Sequence, residues 1–161
     1  TGPNSVICCV IDRDGSFVLI KQLRPNLQCY TLEMPAGGLE ENEDPIDGAR
    51  REILEEIGLS CPLLKLGNTF CLMMNRTNIR DHLFLGMLPE ASSGFVAETN
   101  TEVIRLPREK LLEAALDGSY LQLAGLGIIN LASAILNLDV WKAPIGQIEN
   151  SFLNNTDVHR F

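Results

Sequence analysis

Apolar and polar residues alternate and cluster along the chain in a way that predicts strands first and helices later. Two apolar runs, Ser5–Ile11 and Phe17–Gln22, predict strands joined by the turn Asp12–Gly15. A short strand near Tyr30–Glu33 follows. The segment Met34–Asp44 contains glycines and a proline, and it predicts a loop.

The next segment carries the signals of a helix. Asp44 is suited to the N-cap, Pro45 to the first helical position and Gly58 to a left-handed residue that ends the helix. Apolar residues recur between them at helical spacing. These residues are Ile46, Ala49, Ile53 and Ile57. The pattern predicts a helix between Asp44 and Gly58 with one apolar face.

The rest of the chain mixes both kinds of element. Strands are predicted at Lys65–Met73, His82–Met87 and Glu102–Leu106, and helices at Arg108–Leu116 and Gln122–Leu136. Mixed strands with a few helices favour an α/β sandwich over a parallel doubly wound fold. The length of 161 residues predicts one domain that spans residues 1–161.

Composition narrows the classes of function. The net charge is −8, which argues against a basic nucleic-acid-binding surface. No apolar run is long enough to cross a bilayer, so we expect no membrane partner. The chain has five cysteines, which is an odd number, and no two of them have the CxxC spacing of a metal or redox site. They favour reduced core cysteines and a cytoplasmic protein.

Three glutamates on the predicted helix lie close together on one face, although like charges repel. With Glu52 as reference, Glu55 lies about 60° to one side and Glu56 about 40° to the other. Like charges at this spacing cost a few tenths of a kcal/mol per pair. A solvated acidic face would tolerate that cost. The alternative is that carboxylate oxygens bind a hard divalent cation such as Mg²⁺ or Mn²⁺.

The wider spacing resembles a known motif. Gly37, five residues, Glu43, seven residues and then Arg51–Leu59 (REILEEIGL) resemble the Nudix box at every fixed position. The resemblance implies a Nudix-type α/β/α sandwich with a mixed β-sheet. It also implies hydrolysis of a nucleoside diphosphate that is linked to another group.

Metal ligands follow from the same resemblance. It implies that Glu52, Glu55 and Glu56 hold Mg²⁺, with Mn²⁺ as a substitute. Glu52 and Glu56 are the expected direct ligands, whereas Glu55 acts partly through water. The backbone carbonyl of Ala36 is a further expected ligand.

Other box residues are expected to support these ligands. Arg51 has an orienting role, since it can reach Glu55 one turn on or Glu43 in the loop. Gly37 and Gly58 are interpreted as residues that the backbone conformation requires.

Two segments before the box resemble the ADP-ribose pyrophosphatase branch. They are QLRP (Gln22–Pro25), in which Leu23 replaces the usual aromatic residue, and LEMPAG (Leu32–Gly37). The resemblance implies that Arg24 contacts the phosphates and that Glu33 helps to recognise the nucleobase or a ribose. The alternatives are a surface arginine beside a turn and a strand glutamate paired with a cation.

The segment Phe70–Phe84 departs from that branch, because it lacks the proline and glycine of the usual turn. Asn75, Arg76 and Arg80 could bind another distal group, such as a hexose or a phosphate, and Arg76 is the candidate substrate-binding residue. A solvated loop is the alternative.

The general base of the reaction is expected on a loop after the box. The stretch Gly94–Pro107 supplies Glu98 and Glu102, and both are favoured over Glu90. An exposed loop carboxylate without a catalytic role is the alternative for either residue.

The leading hypothesis is Mg²⁺-dependent hydrolysis of the pyrophosphate bond in ADP-ribose or a related nucleoside diphosphate sugar. The products would be a nucleoside monophosphate and a sugar phosphate. One alternative is a housecleaning hydrolase of modified nucleoside triphosphates, and another is a non-catalytic domain that senses nucleotide sugars. The expected partner is a small nucleoside diphosphate derivative. Dimers are common in the branch, so a homodimer is a further expectation.

Overall fold

The computed structural model describes residues 2–89 and 101–159. Within these residues the chain forms eight strands and four helices. The strands are β1 (Ser5–Ile11), β2 (Phe17–Arg24), β3 (Cys29–Glu33), β4 (Ala36–Gly38), β5 (Leu63–Lys65), β6 (Asp81–Met87), β7 (Glu102–Leu106) and β8 (Val158–His159). The helices are α1 (Pro45–Ile57), α2 (Arg108–Asp117), α3 (Leu123–Leu136) and α4 (Ile145–Leu153).

The strands form one mixed sheet that forks. Its main path runs β3-β2-β1-β6-β5-β8, and β1 pairs with β6 in parallel over its whole length. β1 and β2 pair through Val10–Val18 and Ile11–Phe17. The first half of β1 pairs instead with β4, and the second half of β2 pairs with β3. The two strands therefore diverge and leave a fork between them.

Helices cover both faces of the sheet. α1 packs on one face, where Ile53 joins the core around Val6 and Cys8 of β1. α3 and α4 pack on the other face, where Ile128 joins the core around Ile7. Because alternate residues of a strand point to opposite faces, β1 is buried on both sides and reads as a continuous apolar run. The predicted α/β/α sandwich with a mixed sheet is confirmed.

The predicted box helix is also confirmed. Asp44 is its N-cap, and its Oδ1 accepts a hydrogen bond from the backbone N–H of Ile46 at 3.0 Å. Gly58 ends the helix with φ of 78°, and its N–H donates to the carbonyl of Leu54. The left-handed residue at this position favours glycine.

Two predictions about elements were wrong. The strand expected at Lys65–Met73 ends at Lys65, because Gly67 has φ of +72° and interrupts the pairing with β6. Phe70 pairs with Asp81 again only through an isolated bridge. The loop expected at Met34–Asp44 contains β4, which is built from an alanine and two glycines. Such residues carry no alternating pattern, so the strand depends on pairing with β1 rather than on propensity.

The last part of the chain adds α4 and β8, which were not predicted. No described helix is long and apolar enough to cross a membrane. A single domain over residues 1–161 stays a prediction.

Candidate active site

The fork between β1 and β2 contains the buried carboxylate of Glu56. Its Oε2 accepts a hydrogen bond from the backbone N–H of Ala36 at 2.9 Å, and its Oε1 accepts one from Gln22 Nε2 at 3.2 Å. Burial raises the pKa of Glu56 to about 7, although the Ala36 hydrogen bond opposes the rise, and the negative charges of Glu52 and Glu33 add to it. A cation beside this carboxylate would stabilise its charged form and lower its pKa.

Glu52 lies one turn earlier on α1 and is also buried. Its carboxylate packs against Gly37, where a Cβ atom would stand only 2.0 Å from Glu52 Oε1. The φ angle of Gly37 is not in the left-handed region, in contrast to Gly58. The interpretation of Gly37 as a conformational requirement was therefore wrong, since the glycine is needed for the close approach of Glu52.

Arg51 joins the loop before α1 to the glutamates on the helix. Its Nε and Nη2 donate to the two oxygens of Glu43 at 2.9 and 3.0 Å, and Nη2 also donates to the carbonyl of Gly38 at 3.0 Å. Nη1 lies 2.6 Å from Glu52 Oε1 and 3.5 Å from Glu55 Oε2. The hydrogen bonds with Glu43 raise the pKa of Arg51 and lower the pKa of Glu43.

Both expected partners of Arg51 are thus in contact with it, together with Glu52 and Gly38. The guanidinium supplies positive charge beside two of the three glutamates. This arrangement fits an orienting role, because the planar fork of donors fixes several carboxylates at once.

Arg24 and Glu33 form a second ion pair near Glu56. Arg24 Nε donates to Glu33 Oε1 at 2.6 Å, and Arg24 Nη2 donates to Oε2. The Thr31 hydroxyl also donates to Glu33 Oε1, at 2.5 Å. The hydrogen bonds from Arg24 lower the pKa of Glu33, which keeps it ionised. Arg24 is half exposed whereas the Glu33 side chain is mostly buried, so Glu33 fixes Arg24 at the edge of the fork.

The donor set fits a hard divalent cation. Glu52, Glu55 and Glu56 offer carboxylate oxygens, which Mg²⁺ and Mn²⁺ prefer. Glu56 is buried and accepts its hydrogen bonds from the neutral groups of Gln22 and Ala36, and burial penalises a carboxylate that has no positive partner. In the described part of the chain, however, no three His, Cys, Asp or Glu side chains converge on one point. Instead, Glu52 and Glu55 contact Arg51, whereas Glu56 contacts Ala36 and Gln22.

Other predicted residues lie elsewhere. Glu102 on β7 pairs with Lys21 Nζ at 3.1 Å, and Lys21 precedes Gln22, so the pair lies on the sheet face opposite Glu56. Arg76 lies on an exposed turn after Met73. The structure does not bring Glu102 or Arg76 to the glutamates, and their roles stay predictions.

The remaining predicted residues have mixed outcomes. Glu98 and Glu90 fall outside the described residues. Ala36 lies at the fork, where its N–H binds Glu56, and a metal-binding role for its carbonyl stays a prediction.

Sequence reasoning missed two side chains. Gln22 was quoted only as part of QLRP, and a contact from a strand to a helix more than thirty residues away leaves no local signal. Gln122 precedes α3 and accepts a hydrogen bond from the N–H of Met34 at 2.9 Å. Gln122 belongs to no motif, and the QLRP motif that contains Gln22 gives no sign of a contact with Glu56.

Comparisons with known proteins agree with this geometry. The model of the NUDIX domain matches residues 2–118. An ADP-sugar pyrophosphatase of Mus musculus is 31% identical over 102 residues, which are 59% of this chain and 47% of that protein. An ADP-ribose pyrophosphatase of Bacillus subtilis (strain 168) is 36% identical over 62 residues, which are 38% of this chain and 34% of that protein. The chain thus spans less than half of each of these two relatives.

The fold has solved counterparts as well. The crystal structure of an ADP compounds hydrolase superposes with a TM-score of 0.70 and 18% sequence identity. The superposition covers 85% of this chain and 74% of that one. At this identity the likeness concerns the fold alone. Since the family model matches well over half of the chain, and its box residues meet at the fork of the sheet, this protein belongs to the NUDIX domain family.

Proposed function

We propose that this protein hydrolyses the pyrophosphate bond of ADP-ribose or a related nucleoside diphosphate sugar, with Mg²⁺ as the cofactor and Mn²⁺ as a substitute. The products are a nucleoside monophosphate and a sugar phosphate. The main support is the placement of two buried carboxylates, Glu52 and Glu56, on one face of α1, with Glu56 close to the Arg24–Glu33 ion pair at the fork. The similarity to ADP-sugar and ADP-ribose pyrophosphatases supports the same substrate class.

The negative glutamates at the fork can accept a diphosphate only together with a bound cation and the positive charge of Arg24. Glu52, Glu55 and Glu56 would hold the cation, which neutralises phosphate charge and lowers the pKa of a coordinated water. Arg24 keeps further N–H donors beyond those that bind Glu33, and they are available to phosphate oxygens. An acidic protein can therefore accept an anionic substrate at this point.

The supporting residues restrict how the glutamates can move. Arg51 restrains Glu52 and Glu55, while Gln22 and the N–H of Ala36 hold one oxygen each of Glu56. A cation that binds here would have to draw these carboxylates together, because no three of them converge in the described part of the chain. Of the two expected general bases, this proposal retains Glu98, because Glu102 pairs with Lys21 on the opposite face of the sheet.

The test is incubation with ADP-ribose and Mg²⁺, followed by ³¹P NMR of the products. We expect AMP and ribose 5-phosphate from the wild-type protein. Glu56→Gln should reduce kcat by at least about 10²-fold, since a neutral amide is a poor ligand for a hard cation. Lack of turnover with both Mg²⁺ and Mn²⁺ would contradict the proposal, as would an unchanged rate in Glu56→Gln. Binding without turnover would indicate a sensing domain.

Assembly and compartment are proposals of the same kind. The five cysteines are all free thiols, and three of them are buried, which suits a reducing cytoplasm. A homodimer is proposed from the branch resemblance, and multi-angle light scattering would measure it directly.

A further inference from the structure

A large cavity opens on the α3 side of the sheet, away from the carboxylates of the box. It has a volume of about 790 Å³ and lies between α3 and the segment 70–72. This volume is within the range of small-molecule sites. Its walls are mainly apolar and include Phe70, Leu72, Leu83 and Leu131.

Gly127 faces this cavity from the middle of α3. A Cβ atom added there would meet no atom of residues 2–89 and 101–159 within 4 Å, so the missing side chain leaves open space rather than relieving a clash. Glycine inside a helix costs about 0.5–1 kcal/mol relative to alanine. Neither the packing of α3 nor a left-handed backbone requires glycine here, and the missing side chain leaves this wall of the cavity open.

Gln122 and Asn130 both bring a side-chain amide to the cavity, and hydrogen bonds fix the orientation of the Gln122 amide. Its Oε1 accepts hydrogen bonds from the N–H of Met34 at 2.9 Å and from the hydroxyl of Tyr120 at 3.1 Å. These donors identify the oxygen and leave Nε2 with two N–H groups. No described residue accepts a hydrogen bond from Nε2. The amide therefore offers donors to a ligand in the cavity.

The same amide connects the cavity to the fork. Met34, which binds Gln122, is two residues before Ala36, which binds Glu56. Two residues of chain span at most about 7.6 Å between Cα atoms. The Gln122 amide and the Glu56 carboxylate therefore contact nearby positions of one segment, so a substrate bound at the fork can extend towards the cavity.

We propose that the cavity binds a nucleobase of the substrate, with its ring between the apolar side chains and a ring nitrogen or carbonyl oxygen accepting from Gln122 Nε2. The proposal rests on the proposed function, because it assigns one end of that substrate. The flat faces of a base ring suit these apolar walls, and its polar atoms lie at the ring edge, where Gln122 can donate. A sugar would bury several hydroxyl groups without partners, which is unfavourable.

The experiment compares Gly127→Leu with a matched control, Gly146→Leu. Gly146 is also an exposed helical glycine whose added Cβ would meet nothing within 4 Å, but it lies on α4 and does not line the cavity. Leucine is a better helix former than glycine, so neither variant should have a lower Tm. Calorimetry would measure the Kd of AMP in EDTA for the wild-type protein and both variants, with ribose 5-phosphate as a probe that has no base.

We expect the Kd of AMP to rise at least about 10-fold in Gly127→Leu and to stay unchanged in Gly146→Leu, because a leucine side chain would fill the space of the ring. Equal Kd values in the three proteins would overturn the proposal, as would a wild-type protein that does not bind AMP. A variant that loses ribose 5-phosphate but keeps AMP would show a sugar site instead. If Gly127→Leu does not fold, Ala134→Leu on the same wall replaces it.

Two further outcomes separate this proposal from others. AMP binding in EDTA needs no turnover, so AMP can bind even if the protein does not hydrolyse ADP-ribose. If the protein does hydrolyse ADP-ribose and Gly127→Leu leaves its KM unchanged, the cavity assignment is wrong but the proposed function is not. If light scattering shows that Gly127→Leu breaks a dimer while the Kd of AMP is unchanged, the cavity belongs to a subunit interface and the proposal is wrong.

Discussion

Gln22 and Glu56 are joined across the fork of the sheet by a hydrogen bond of 3.2 Å from Nε2 to Oε1. Gln22 lies on β2 beyond the point where this strand leaves β1, and Glu56 lies on the last turn of α1. With the N–H of Ala36 on the other oxygen, the carboxylate is held from two strands at once. The forked sheet is therefore what orients this buried glutamate.

The first prediction concerns this contact. Gln22→Leu should weaken Mn²⁺ binding by about 10-fold or more, since a residue that orients a metal ligand typically contributes 10–100-fold to affinity. The measurement is electron paramagnetic resonance of free Mn²⁺ during titration.

Lys21→Leu is the matched control for Gln22→Leu. Lys21 is the neighbouring residue of β2 but pairs with Glu102 on the opposite face. Its loss should leave Mn²⁺ affinity unchanged. Equal weakening in both variants would mean that Gln22 acts only through the stability of the strand.

A second prediction concerns Arg24. Arg24→Lys keeps the charge but cannot form the paired contacts with both oxygens of Glu33. We expect KM for ADP-ribose to rise about 10-fold while kcat changes little, because one well-oriented contact of about 1.4 kcal/mol corresponds to that factor. Steady-state kinetics at saturating Mg²⁺ would measure both constants.

The control for Arg24 is Arg50→Ala. Arg50 lies on α1 and contacts Asp47 at 3.2 Å in an exposed pair. Surface pairs of this kind contribute little to stability. An unchanged kcat/KM in Arg24→Lys and Arg24→Ala would remove Arg24 from the substrate site.

Local sequence signals were sufficient for α1 and its glutamates. The cap at Asp44, the left-handed Gly58 and the apolar spacing each act within a few residues, so they are visible in the sequence. The spacing of Glu52 and Glu56 likewise follows from helix geometry.

Contacts between distant segments could not be predicted in this way. β4 is a strand only because β1 is available to pair with it, and Gln22 reaches Glu56 only because β1 and β2 diverge. The direction of Glu102 also depends on its register with Lys21. Register is set by the packing of the whole sheet, and the sequence of a single strand does not specify it.

A third prediction concerns pH and stability. His82 on β6 is buried, and among the described residues its Nδ1 has no hydrogen-bond partner. Burial and the positive charge of Lys65 lower the pKa of His82, although Asp81 and Asp44 oppose this. The unfolded chain therefore binds a proton more readily than the folded protein does. The contribution to stability is complete above the unfolded pKa of about 6.5 and is lost as the pH falls through the lower folded value.

His82→Leu should remove this dependence. Urea unfolding at pH 7.5 and pH 5.5 should show a smaller loss of free energy of unfolding in the variant than in the wild-type protein. Leucine also removes a buried nitrogen without a partner, so stability at pH 7.5 should not fall by more than about 1 kcal/mol. The same pH dependence in both proteins would show that other groups cause the acid sensitivity.

The last prediction compares two neighbouring glycines. In Gly37→Ala the new Cβ would stand 2.0 Å from Glu52 Oε1, so the carboxylate must move. The end of a glutamate side chain is flexible, so we expect Tm to fall only slightly, by a few degrees at most. Mn²⁺ affinity and kcat should fall at least about 10-fold, because Glu52 leaves its position.

Gly38→Ala separates this effect from a general effect of alanine in β4. Its Cβ would meet Pro3 Cγ at 3.1 Å, and Pro3 lies in the exposed segment before β1, where it can shift. We expect Mn²⁺ affinity close to wild type in this variant. If Gly37→Ala binds Mn²⁺ as tightly as Gly38→Ala does, Glu52 does not need its close approach to the backbone, and its role as a direct ligand is wrong.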